Sequence, residues 1–275
     1  MFGQAKTPKS QKPDNVPLYF YNPHNRKPLT GYNSFWQQDY RQIATFDIGY
    51  DNLARRISRR YLSPQRIETF VYEKIPISLE TDEEGYRVLF NELQAWLDQE
   101  KDKYFSTHVV IIEWQLPQNY KAVRISTFIL SYFLMVLKDA PLLPFIVEMR
   151  SGFKDDYYPE LKPLNQNARK AKCVELGIDL LKLQGDTFSL DILEGGTSKK
   201  KKTKRDDYAD LVLMEEVFCR YGSEQGFTFP HYSSKVKPLP EPTQRPQSLE
   251  DYMKGQTKKK IIRLKEKDVK TSKEH

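Results

Sequence analysis

The stretch Ile43-Ala44-Thr45-Phe46-Asp47-Ile48-Gly49 decides how this chain is read. Its branched and aromatic residues make a short buried strand closed by glycine, with one carboxylate inside the apolar run. Downstream, Leu53 to Tyr61 and Ile67 to Ile75 read as two more strands, turned through Ser63-Pro64-Gln65 as a hairpin with a longer loop. Thr81-Asp82-Glu83-Glu84 has the cap and acidic first turn of a helix, continued by Val88, Leu89, Leu93, Trp96 and Leu97. Val109-Val110-Ile111-Ile112 is a fully buried strand. The pattern then predicts a long helix from Gln118 to Leu137, a strand from Leu142 to Met149, a helix capped by Asn165 and running through Leu183, and a last helix starting near Asp206. The order β-β-β-α-β-α-β-α-α predicts an α/β domain: a mixed sheet with an antiparallel hairpin joined to parallel β-α units, and helices on both faces.

This domain is expected over residues 42–222. Residues 1–41, rich in proline, asparagine and lysine, read as a basic, mostly irregular arm that packs through Tyr19-Phe20-Tyr21 if it packs at all. Residues 223–275 read as a disordered tail rich in proline and lysine. The 275 residues are 39% hydrophobic and 29% charged, enough for a real core. A net charge of +7 and a pI of about 9.1 favour a polyanionic partner, most commonly nucleic acid. The only cysteines, Cys173 and Cys219, support neither a zinc module nor a disulfide framework, so a reducing compartment is expected. The apolar run from Ile125 to Leu137 is shorter than the ~20 residues that span a bilayer, and Met1-Phe2-Gly3-Gln4 leads into polar sequence. We therefore expect a soluble, intracellular protein with no membrane partner. No glycine loop suits a phosphate cradle, so no nucleotide cofactor is expected.

Four acidic residues are placed to converge in such a fold. Asp47 interrupts the first strand, Glu113 ends the Val109-to-Ile112 run, and Asp207 and Asp210 share one face of the last helix at i and i+3. Clustered buried carboxylates repel one another or protonate unless a cation joins them. Magnesium takes hard oxygen ligands, and two ions ~3.5–4 Å apart activate water and stabilise the leaving oxygen of a phosphodiester. Each acid also has an ordinary reading. Asp47 before Gly49 suits a turn, Glu113 an arginine partner, and Asp207 with Asp210 an acidic first turn on the helix dipole.

Four segments carry a family resemblance. Phe46-Asp47-Ile48-Gly49 with Asn52-Leu53-Ala54 resembles the first-strand motif of RuvC-type Holliday junction resolvases, in the branch of poxviruses, other large DNA viruses and fungal mitochondria. Ile111-Ile112-Glu113-Trp114-Gln115 resembles the second acidic motif, and Asn167-Ala168-Arg169-Lys170-Ala171-Lys172 the helix start where the family keeps a basic residue near the scissile phosphate. Lys204-Arg205-Asp206-Asp207-Tyr208-Ala209-Asp210-Leu211 is similar to the terminal Asp-x-x-Asp helix. The resemblance covers about residues 42 to 220. It implies an RNase H-like fold, a homodimer, two magnesium or manganese ions per site, and symmetrical incision of a four-way DNA junction. Asp47, Glu113, Asp207 and Asp210 become metal ligands, and Lys170 a phosphate or transition-state contact. Trp114 departs from the usual polar neighbour of the glutamate, and the fold does not require the long basic tails.

Around these motifs, Lys199, Lys200, Lys201, Lys202, Lys204 and Arg205 run into the last helix and are candidate DNA contacts, as are Arg169 and Trp114. The same lysines also read as a solvated loop, with Gly195-Gly196 before it as a flexible lead. Arg55, Arg56, Arg59 and Arg60 alternate along a strand, so at most half of them meet DNA. Trp114 and Phe153 are stacking wedges or core residues. His108 starts a buried strand. The helix bearing Phe128, Tyr132, Phe133 and Met135 suits a central helix or a dimer interface. The expected activity is metal-dependent endonuclease cleavage of branched DNA. The alternatives are the same fold on other branched or hybrid nucleic acids, and a non-catalytic DNA-binding scaffold. A viral replication site, a mitochondrion and a nucleus all fit.

Overall fold

The computed structural model describes residues 18–21, 38–49, 51–77, 83–138, 144–195 and 205–224. Its strands are β1 (Leu18–Tyr21), β2 (Tyr40–Ile48), β3 (Asn52–Tyr61), β4 (Arg66–Pro76), β5 (Val109–Trp114) and β6 (Phe145–Arg150). The helices are α1 (Glu83–Asp98), α2 (Lys101–Tyr104), α3 (Tyr120–Val136), α4 (Lys154–Tyr157), α5 (Gln166–Gln184), α6 (Thr187–Gly195) and α7 (Arg205–Glu224).

One sheet runs in the order β1-β6-β5-β2-β3-β4. β2, β5 and β6 are parallel, β3 is antiparallel to both β2 and β4, and β1 is antiparallel to β6. With β1 set aside, the third, second, first, fourth and fifth strands lie side by side and the second is reversed, the RNase H-like arrangement. The β2–β3 turn is tight. The Gly49 N–H donates to the Asn52 carbonyl at 2.9 Å, and a Cβ on Gly49 would stand 3.1 Å from that oxygen.

Period-two alternation splits the core into two layers. Ala44, Phe46, Ile48, Leu53, Ile57, Val110 and Ile112 pack under α1 and α3, while Ile43, Ala54, Val109, Ile111 and Val147 pack under α5, α6 and α7. Fully burying one such side chain contributes about 1.5–3 kcal/mol. α7 is buried nearly all round, at Ala209, from Leu211 through Arg220 and at Gly222. α3, expected as a central helix or a dimer interface, buries Ile125, Ile129 and Phe133 against the sheet and leaves Met135 64% exposed. Where α5 crosses α7, a Cβ on Gly177 would lie 3.2 Å from the Ala209 Cβ, so glycine permits the close approach. Asn165 caps α5 by accepting from the Ala168 N–H at 3.0 Å, and Gly185, at φ 68°, ends it.

Two features depart from the sequence reading and a third adds to it. Within the arm over 1–41, Leu18–Tyr21, which contains the Tyr19-Phe20-Tyr21 segment, pairs with β6 as a strand. α6, between Leu183 and Asp206, has no counterpart in the sequence reading; its short apolar run is one side of a buried contact and too brief to show a helical period. The four arginines of β3 do alternate, but helices cover both faces of the sheet. Arg55, Arg56 and Arg60 are therefore buried and Arg59 is half-buried, stacked 4.4 Å from Tyr40 and 5.0 Å from Phe70. Arg55 donates to the Trp96 carbonyl at 2.9 Å and pairs with Glu73, while Arg56 and Arg60 pair with Glu215 at 2.6 and 2.5 Å. His108 does start a buried strand, its Nδ1 accepting from the Gln42 N–H at 3.1 Å. Lys199 to Lys202, Lys204, Thr81-Asp82, Leu142-Leu143 and the tail from residue 225 lie outside the described residues. Among the described residues no helix is long and apolar enough to cross a membrane.

Candidate active site

Because β2, β5 and β6 are parallel, their carboxyl ends share one sheet edge, where α/β folds place their ligands. Asp47 stands near the end of β2 and Glu113 near the end of β5. Alternation puts both on the face that carries Ile43, Val109 and Ile111, the face covered by α7. Asp210, in the second turn of α7, comes down onto the same spot.

The electrostatics show how close this grouping is. Asp47 is only 7% exposed. Burial first, then the charges of Glu113 and Asp210, push its carboxyl well above the usual carboxylate range, and it shares a hydrogen bond with Glu113. Glu113 also accepts from the Gln115 amide at 2.9 Å. The cluster holds a cation of its own. Lys154, at the start of α4, is 3% exposed in its side chain and places Nζ 2.7 Å from Asp210 Oδ1. Burial pulls its pKa down, but Asp210, Glu113 and Asp47 outweigh that and push it up, so it stays an ammonium. The Cys173 thiol, against Asp210, is pushed up to about 12 by burial and that carboxylate, and so stays protonated.

The other expected residues have different partners. Asp207 pairs with Lys74 of β4 at 3.1 Å, under the Tyr208 ring. Lys170, 47% exposed in its side chain, pairs with Asp206 at 2.5 Å, and Arg169 with Asp155 at 2.6 Å. Arg205 donates to the Leu193 carbonyl at 2.7 Å, tying the start of α7 to α6. Trp114 is half-buried with the Arg150 guanidinium 5.3 Å from its ring centre, whereas Phe153 is a core residue packed on Tyr157 and Tyr221. A cavity of about 340 Å³ opens between the acids and the start of α5, lined by Glu113, Lys154, Arg169, Lys170, Cys173 and Asp210 among others.

Sequence reasoning passed over Lys154, Lys74, Asp155 and Asp206. Lys154 had one usable signal: it follows β6 by four positions and so lies at the carboxyl end of a parallel strand. Three carboxylates crowded in a buried place offer the hard oxygen donors that suit magnesium or manganese. In the arrangement described, no three acidic, histidine or cysteine groups stand ready as a metal cage among the described residues.

No family model matches the chain. Among solved structures it is similar to the Fowlpox virus resolvase in complex with substrate Holliday junction DNA, at 19% identity and a TM-score of 0.40, covering 63% of this chain and 95% of that one. It is also similar to T. thermophilus RuvC in complex with a Holliday junction substrate, at 13% identity and a TM-score of 0.37, covering 66% and 97%. Both were solved on junction DNA. Among characterised and uncharacterised sequences it is similar to the uncharacterized protein 170L of Invertebrate iridescent virus 6, at 23% identity over 222 residues, 64% of this chain and 87% of that protein.

Proposed function

We propose that this chain is a divalent-metal-dependent endodeoxyribonuclease that resolves four-way DNA junctions by hydrolysing phosphodiesters. The observation that carries the reading is the convergence of Asp47, Glu113 and Asp210 on a buried ammonium, Lys154, beside a cavity lined with further cations. A structural ion pair needs one acid for one base. Three acids, one of them with its proton affinity raised by burial and by its neighbours' charge, form a place where added positive charge is stabilised.

In this reading Asp47, Glu113 and Asp210, with Asp207, hold two magnesium or manganese ions. Such a pair supplies Lewis-acid activation of water and neutralises charge at the phosphodiester. The chain's own groups do the rest. Lys154, fixed as an ammonium, faces the cavity where phosphoryl oxygens gain charge. Arg169 and Lys170, at the start of α5, hold the phosphate backbone, and Trp114 with Arg150 offers a flat face to an unstacked base. Lys199 to Lys202, Lys204 and Arg205 add positive charge in sequence next to Asp206 and Asp207, available to neutralise DNA phosphates. Symmetrical incision requires two active sites, so the working species is a homodimer in an intracellular compartment, for which the exposed Tyr120 and Met135 of α3 supply apolar surface.

The test is cleavage of a synthetic four-way junction with magnesium or manganese, with duplex, flap and RNA–DNA hybrid as controls. Paired symmetrical nicks in the junction are expected. Asp47→Asn and Asp210→Asn should still bind the junction and cut about a hundred- to a thousandfold more slowly. Junction binding without cleavage by the wild type under either ion would replace this reading with a DNA-binding scaffold, and preferred cleavage of a hybrid or flap would change the substrate.

A further inference from the structure

The cations beside the site fall into two kinds according to the acid each one holds. Arg169 and Lys170 pair with Asp155 and Asp206, which lie outside the four-acid set. Lys154 and Lys74 pair with Asp210 and Asp207, the two acids of the Asp-x-x-Asp segment. A metal ion and these two lysines therefore compete for the same carboxylates.

Lys74 is the sharper case. It and Asp207 are only 11% and 17% exposed in their side chains, so the pair is mostly out of water. Taking the carboxylate from a desolvated ammonium is costly unless another anion arrives. β4, which carries Lys74, is the last strand of the sheet among the described residues, and no further described strand lies beyond it. The charge balance points the same way. The six carboxylates Asp47, Glu113, Asp155, Asp206, Asp207 and Asp210 face the four cations above, a formal excess of two negative charges. One divalent ion cancels that excess. A second ion would leave the site positive unless phosphates enter with it.

Resting on the nuclease reading above, we infer that Lys74 is a positioning residue that couples metal binding to DNA binding by exchanging partners. Without metal it holds Asp207. When Asp207 turns to a divalent ion, Lys74 takes a DNA phosphate in its place. Coupling of this kind is reciprocal: the metal tightens junction binding by the factor by which the junction tightens metal binding.

The experiment titrates Ca2+ into the full-length protein by calorimetry, alone and with an uncleavable phosphorothioate four-way junction, for wild type, Lys74→Met, Lys74→Arg and Lys74→Met combined with Asp207→Asn. Lys74→Met should bind Ca2+ about fivefold more tightly than wild type without DNA, the scale of one partly exposed ion pair. In the same variant the tightening of junction binding by Ca2+ should shrink toward none. Lys74→Arg should restore wild-type behaviour, and the Asp207→Asn combination should lose the gain in affinity. Unchanged or weaker Ca2+ binding by Lys74→Met overturns the inference, as does coupling equal to wild type. Asp47→Asn and Asp210→Asn are run alongside. If they leave Ca2+ binding intact, the metal-site reading itself has failed; if they abolish it while Lys74→Met changes nothing, only the exchange has.

Discussion

Asp47 lies among Thr45, Phe46 and Ile48 on a central strand, buried and facing two other carboxylates. Its carboxyl takes up a proton more readily in the folded chain than in the unfolded one, so the folded state binds the extra proton. With the folded pKa raised, stability falls as pH climbs from the unfolded carboxylate range near 3.9 through the folded value. Asparagine carries no such penalty. In chelator at pH 7, Asp47→Asn should therefore melt at a higher temperature than wild type, and the gap should close toward pH 3, where both side chains are neutral. Thermal unfolding followed by circular dichroism measures this. A wild type as stable as Asp47→Asn at pH 7 would mean that Lys154 already compensates the cluster in full.

At the level of elements, α7 is held against the sheet by buried charge as well as by apolar contact. Glu215 accepts from Arg56 at 2.6 Å, from Arg60 at 2.5 Å and from the Ser58 hydroxyl at 2.7 Å, while Arg56 also reaches Asp186, the residue that caps the start of α6, at 2.8 Å. Such a network adds little net stability over well-packed apolar residues, but it penalises any other register of the helix, because a slipped α7 would leave buried charges without partners. Register matters here since Asp210 lies on the same helix as Glu215. Glu215→Ala should cost about 3–5 kcal/mol in urea denaturation, because it takes one carboxylate partner from each of two buried guanidiniums, Arg56 keeping Asp186 and Arg60 keeping Glu216. Burial raises the Glu215 pKa, yet Arg56 and Arg60 outweigh burial and hold it below its usual value. Its stabilisation is accordingly complete above the unfolded value near 4.3 and lost as pH falls, so the wild-type advantage should narrow in acid.

For the whole molecule, the proposed function has a chain of net charge +7 bind a polyanion, so its affinity for the junction should depend steeply on salt. Each phosphate neutralised adds about 0.9 to the slope of log K against log salt on duplex arms. Changing Lys199, Lys200, Lys201, Lys202 and Lys204 to glutamine should weaken junction binding at low salt and flatten that slope by a few units, leaving the rate of cleavage at saturating junction unchanged. Fluorescence anisotropy across a salt series, paired with single-turnover cleavage, measures both. A slope unchanged by the five substitutions would place this segment away from DNA.

The sequence alone pointed to the class of the fold and to four acids expected to converge, of which Asp47, Glu113 and Asp210 do meet, because strand faces follow from local periodicity. Alternation placed Asp47 and Glu113 on one face, and the apolar runs placed them at the ends of neighbouring strands. It also located the α5 cap at Asn165, since capping is a local hydrogen bond. Pairing across the molecule was beyond its reach. That Asp207 faces Lys74 rather than Asp47, that Lys154 enters the acid cluster, and that three arginines of β3 are buried instead of meeting DNA are set by how α4, α7 and the sheet pack. A charged side chain reads as exposed until a partner distant in sequence is brought to within ~3 Å of it, and only the tertiary structure supplies that partner.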